Sequence, residues 1–214
     1  MRSARAALAI LAAAVLALSA CGGSSKPSNS TSSGGKLANG KTFTMAISTD
    51  PGNLDPQMTV LSVTRGVGRF LYGRLIQLES SGKVSGSLAQ KWQATTTKAS
   101  FTLRPGITCA DGSALTAKDV AANIDFVGNP KNKSPLLGIQ VMPGTKATGD
   151  NTTRTVTVTS GAPDAFLLSN LGTLPLVCAK GLADRASLAK GKNGAGMYTM
   201  TEDVPNDHYT LTLR

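Results

Sequence analysis

Thr49-Asp50-Pro51-Gly52-Asn53-Leu54 combines the residue types that a backbone-lined binding loop requires. Gly52 carries no Cβ, so a ligand's main chain can come close. The Asn53 amide both donates and accepts hydrogen bonds. The loop follows residues 41–48, where Phe43, Met45 and Ile47 alternate on one face and predict a strand. Open α/β sheets take their ligands beyond the carboxyl ends of strands. Thr49, Asp50, Gly52, Asn53 and Leu54 are therefore the candidate ligand contacts. The same residues are also dense turn formers, so a plain tight turn is the alternative. Asp55 reads as a local cap or hydrogen-bond partner.

Catalytic chemistry has no comparable support. His208 is the sole histidine, and no Ser/His/Asp spacing, carboxylate pair or phosphate loop is present. No enzymatic activity and no cofactor are expected. Metal binding is not expected either: Cys109, Cys178 and His208 lack ligand spacing, and Asp111-Gly112 is not followed by carboxylates at calcium spacing. Tyr72, Trp92, Arg104 and Tyr198 are assigned structural roles.

The first forty residues set the compartment. Arg2 and Arg5 precede an uninterrupted apolar stretch, residues 6–18, too short to span a bilayer comfortably. Leu18-Ser19-Ala20-Cys21 then resembles the bacterial lipoprotein box. That resemblance implies a signal peptide over residues 1–20 and a lipidated Cys21 at the mature N-terminus, anchored through its acyl chains. An ordinary cleaved signal with a chance cysteine is the alternative. Residues 21–40 then form a flexible tether rich in Gly and Ser, with a root-mean-square span of about 25 Å. In an oxidising compartment Cys109 and Cys178 are expected to pair. Their bond would close about 70 residues and stabilise by roughly 4 kcal/mol; two buried thiols are the alternative. The net charge of +10 is scattered and aromatics are few, so export and composition argue against nucleic acid. Anionic headgroups or wall polymers suit that charge better.

With 214 residues, 41% of them hydrophobic, the chain exceeds the needs of a small core and is no disordered or collagen-like polymer. A single long apolar run excludes a multi-span membrane protein. Apolar spacing predicts a helix over residues 60–78 and a turn at 80–82. Two short strands carrying Trp92, Ala94, Phe101 and Leu103 flank a polar turn at 95–99, and Pro105-Gly106 stops the second. Thr116 with Asp119 forms a weak capping box, Leu115 with Val120 a hydrophobic staple, and Val120, Ile124 and Val127 the buried stripe of a helix ended by Asn129-Pro130. Residues 131–149 read as loop and 153–159 as a strand. A helix over 165–171 capped by Asp164, a buried strand at 174–177 and a helix over 183–190 ended by Gly191 follow. A turn at 194–196 and strands starting at Tyr198 and His208 complete the pattern. Mixed helices and strands favour an α/β or α+β domain.

Five runs in order resemble the extracytoplasmic solute-binding proteins of ABC transporters, in the oligopeptide, dipeptide and nickel-binding group. They are Asp50-Pro51-Gly52-Asn53-Leu54-Asp55-Pro56; Leu71-Tyr72-Gly73-Arg74-Leu75; Gly86-Ser87-Leu88-Ala89-Gln90-Lys91-Trp92; residues 101–107 continued by 111–120; and Gly194-Ala195-Gly196-Met197-Tyr198. The fourth is the most specific. Cys109 stands where that family usually has an aromatic residue, and the last run lacks its usual Pro. The resemblance implies an α/β, periplasmic-binding-protein-like (type II) lobe, a mixed sheet with flanking helices, over residues 41–214. It implies that the Asp50 loop lines an interlobe cleft. Family members are longer, so truncation before the second lobe is expected. The implied function is a lipid-anchored, extracytoplasmic, monomeric receptor that delivers a peptide or similar small solute to ABC permease subunits. Nickel-chelate, sugar or other cargo remains open. The alternative is a non-transport lipoprotein acting as a structural or cell-wall-associated binding module.

Overall fold

The computed structural model describes residues 40–214; the signal segment, Cys21 and the tether up to residue 39 lie outside the described residues. The chain divides into two units, Met1–Met45 and Ala46–Arg214. The strand expected over residues 41–48 does not form. Phe43, Met45 and Ile47 are all exposed. Their alternation suits a sheet, but a strand needs a neighbour for its N–H and C=O groups, and none is paired with them among the described residues.

The second unit begins with the loop and helix α1, Ser62–Leu71, shorter than the helix predicted over residues 60–78. Tyr72 turns extended, with φ −118° and ψ 124°. Gly73 then packs so tightly that a Cβ would lie 2.6 Å from Leu88 Cδ1. The apolar run continues instead as β1, Ile76–Leu78, antiparallel to β2, Val84–Gly86.

The predicted hairpin is present as β3, Ala89–Ala94, and β4, Lys98–Leu103. These join β5, Lys146–Asp150, and β6, Thr155–Thr159, in an antiparallel sheet of order β3-β4-β6-β5. β5 begins within the expected loop and ends one residue past it. Its sequence, Lys-Ala-Thr-Gly-Asp, has no apolar alternation, and it is a strand because β6 and a helix hold it. That helix is α2, Ala117–Gly128. Gly149 of β5 sits where a Cβ would meet the Ala117 carbonyl at 2.2 Å. Ala147 N–H donates to Asp125 Oδ1 at 3.1 Å, and Lys118 N–H to Asn151 Oδ1 at 3.1 Å.

The capping box of α2 is complete: Thr116 Oγ1 accepts from Asp119 N–H at 3.2 Å, and Asp119 Oδ2 accepts from Thr116 N–H at 2.8 Å. Val120, Ile124 and Val127 are fully buried with Phe101, Val156 and Val158 in one core. Each such side chain contributes roughly 1.5–3 kcal/mol on burial.

The remaining elements are short. Asp164 Oδ1 accepts from Phe166 N–H at 2.8 Å but does not cap α3, Leu167–Gly172: its N-cap is Phe166, without a side-chain cap, and the helix starts two residues later than expected. Residues 174–177 are largely buried but pair only at isolated bridges, Leu176 with Gly73 and Val177 with Gly194. In place of one helix over 183–190 stand α4, Ala179–Ala183, and a 3-10 turn, Arg185–Lys190, ended by Gly191 at φ 67°. A hairpin of β7, Tyr198–Val204, and β8, His208–Leu213, follows. Its Met200, Tyr209 and Leu211 pack on a second core of Leu54, Val67, Leu71, Tyr72, Val177 and Leu188.

Candidate functional site

The candidate loop is pinned at both ends. At its start, the Asp50 carboxylate reaches the β7–β8 hairpin: Oδ1 accepts from Tyr209 Oη at 2.5 Å and Oδ2 from Asn206 N–H. Asp50 Oδ1 also accepts from Gly52 N–H at 2.6 Å. These donors, Tyr209 foremost, hold the Asp50 carboxyl below its usual range. Burial, then the hydrogen bond to Asp50 and after it the Asp50 charge, push the Tyr209 hydroxyl above its own.

At its end the loop enters a buried polar network. Asp55 makes the local bond expected from sequence, its Oδ1 accepting from Gln57 N–H at 3.0 Å, and it also holds a distant partner. Arg185 grips its carboxylate with Nη2 at 2.5 Å and Nε at 3.1 Å, and places Nη1 3.2 Å from Gln57 Oε1. The same guanidinium lies 3.7 Å over the Phe126 ring. Gln57 Nε2 donates to Asn123 Oδ1 at 2.6 Å and to the Pro175 carbonyl at 3.0 Å. Asn123 on α2 also bonds both backbone groups of Val177, each at 2.8 Å. The loop, α2 and the 174–177 segment are thus one hydrogen-bonded unit.

Between these anchors the five candidates divide. Thr49, Gly52 and Asn53 are exposed. Gly52 adopts φ 64°, a conformation suited to glycine, with open space around it. Asn53 Oδ1 accepts from Asp55 N–H at 2.8 Å. The Asp50 carboxylate is engaged as a strut. Leu54 is buried in the second core, and its N–H donates to the Ala189 carbonyl at 3.0 Å. The Gly52 and Asn53 N–H groups are taken, by Asp50 Oδ1 and by the Pro51 carbonyl at 2.7 Å, so the fixed apex presents backbone carbonyls and the Asn53 amide N–H groups.

The other assigned residues occupy structural positions. Cys109 and Cys178 form a disulfide with Cα atoms 6.2 Å apart, both buried. Tyr72 is buried, its hydroxyl pushed up by burial and by the Asp55 charge. Arg104 Nε bonds the Ser87 carbonyl at 2.7 Å. Trp92 packs against the main core, and Tyr198 meets Phe70 edge to face at 5.6 Å. Sequence reasoning missed Gln57, Asn123, Arg185 and Tyr209. Asn123 left one signal, a polar residue beside the apolar stripe of α2.

Residues 83–213 match the model of the bacterial extracellular solute-binding proteins, family 5 Middle. The probable deoxycholate-binding periplasmic protein YgiS of Escherichia coli (strain K12) is 31% identical over 91 residues, 42% of this chain and 17% of that protein. The periplasmic murein peptide-binding protein MppA of the same organism is 28% identical over 113 residues, 52% and 21% of the two chains. A substrate binding protein from Microbacterium hydrocarbonoxydans, complexed with 4-hydroxybenzoate hydrazide, superimposes with a TM-score of 0.69 at 29% identity, over 78% of this chain and 35% of that one. The chain thus spans about a fifth of the curated relatives and a third of that structure. The likeness bears out the periplasmic-binding-protein-like fold class, and the chain belongs to the bacterial extracellular solute-binding proteins of family 5.

Proposed function

We propose that the chain is part of the substrate-binding component of an ABC importer, which captures a peptide or similar small solute outside the cell and delivers it to the permease. Cys21, lipidated, anchors it to the membrane, and residues 22–40 tether the lobe. The observation that carries this is the loop over residues 49–56: Asp50 and Asp55 fix its ends through partners far along the chain, and its exposed apex is Gly52-Asn53. A backbone-lined, preorganised apex suits main-chain hydrogen bonding, which gives affinity without demanding particular side chains. MppA, by name a murein peptide-binding protein, supports peptides as the cargo class. Closure of two lobes around the solute would complete the grip, stabilised only by the solute's preference for the closed form.

The test is thermal unfolding of the full-length gene product against a peptide library. Saturable stabilisation, about 2.7 kcal/mol at a hundredfold excess over Kd, is expected from peptides. A flat response to every peptide refutes the peptide assignment. Cys21→Ala should release the protein from the membrane fraction; continued retention refutes the anchor.

A further inference from the structure

Three arginines, Arg65, Arg69 and Arg74, lie on α1 or just beyond it, without an acidic partner among the described residues. Among the described residues the ion pairs are Lys180 with Asp111, Arg185 with Asp55, and His208 with Glu202 and Asp207. Among the described residues no carboxylate lies within ion-pair distance of the three. Arg74 is half-buried, and its Nε is shielded from solvent without a hydrogen-bond partner. Buried guanidinium N–H groups normally find an acceptor, because leaving one unmade forfeits its hydration. Burial, and next the charges of Arg69 and Arg65, pull the Arg74 guanidinium below its ordinary range.

Arg65 and Arg74 line one crevice with Gln140, Pro56 and Pro175. No acid contributes to its wall. Its volume of about 10 Å³ holds one water-sized group. Gln140 is 8% exposed and adds a neutral amide that bonds Thr173 Oγ1 at 3.3 Å. Pro56, in the crevice wall, follows the last of the proposed solute contacts, Leu54, by two residues. A narrow recess bordered by two guanidiniums, in a wall otherwise made of Pro56, Gly68, Leu136, Gln140 and Pro175, suits the end of an anionic molecule, not its body.

We propose that the crevice between Arg65, Arg74 and Gln140 is an oxyanion site that takes a carboxylate or phosphoryl oxygen of the bound solute. Assigning the anion to cargo rests on the solute-binding function proposed above; the oxyanion site itself does not.

The test is nuclear magnetic resonance of the arginine Nε–H groups in the full-length gene product, titrated with succinate, inorganic phosphate or, at matched ionic strength, sodium chloride. Succinate or phosphate should shift the Arg74 Nε–H resonance saturably, and chloride should not. Arg65→Gln should weaken that response about tenfold, as expected for a charge-assisted hydrogen bond. Lys91→Gln, the loss of an exposed charge on β3, should leave it unchanged. No saturable shift, an equal response to chloride, or indifference to Arg65→Gln overturns the site. A tripeptide and its C-terminal amide separate the sources: a preference of about tenfold for the free acid assigns the anion to peptide cargo. If neither peptide binds while succinate or phosphate saturates Arg74, the oxyanion site stands and the peptide assignment falls.

Discussion

The sheet-and-helix layer of β3–β6 with α2 and the loop-and-hairpin region around residues 49–57 and 198–213 are stabilised by different physics. The first is apolar: Phe101, Val120, Ile124, Val156 and Val158 are all completely buried. The second has a smaller core and is fastened by side chains that bridge long stretches of sequence, Asp50 to Tyr209 and Asp55 to Arg185. The candidate solute contacts belong to the second. A region fixed by a few polar struts is well positioned, yet single substitutions or a change of pH can loosen it without unfolding the layer beneath.

The sharpest way to break the contrast is Phe101→Ala. It should lower the stability of the whole second unit by about 4 kcal/mol, measured by denaturant unfolding. Asp55→Ala should cost about 3 kcal/mol, because it leaves the Arg185 guanidinium half-buried and unpaired. If the regions differ as described, hydrogen exchange will rise first at residues 49–57 in Asp55→Ala and uniformly in Phe101→Ala. Tyr209→Phe should be milder, speeding exchange in the β7–β8 hairpin about fivefold, as one lost hydrogen bond would.

Two pH effects sharpen the picture further. The Asp50 carboxyl is depressed in the folded chain, chiefly by Tyr209. Its contribution is therefore present above the ordinary carboxylate range, near pH 4, and fades as pH falls through the lowered value. Tyr209→Phe should reduce that acid-side dependence. The smallest effect concerns His208, whose proton is held first by Asp207 and then by Glu202, raising it above its ordinary value. Its contribution is present below about pH 6.5 and fades as pH rises through the raised value. His208→Gln should flatten that slope in thermal unfolding.

The sequence was legible wherever a signal is local. Thr116, Asp119, Leu115 and Val120 specify a helix start within six residues, and alternation in β4 follows directly from burial of Ala99, Phe101 and Leu103. The loop at 49–54 could be located for the same reason. What its residues do was harder to read. Asp50 and Leu54 resembled their exposed neighbours, but one is a strut and the other a core residue, through partners 159 and 135 positions away or so. β5 was invisible because its partners, not its own side chains, make it a strand. The alternation at 41–48 misled in the opposite direction: it has the pattern and lacks the neighbour.

The most direct test of the central claim is hydrogen exchange of the full-length gene product with and without a bound peptide. Slower exchange concentrated at residues 49–57 is predicted. Unchanged exchange there, with protection confined to other segments, would contradict it.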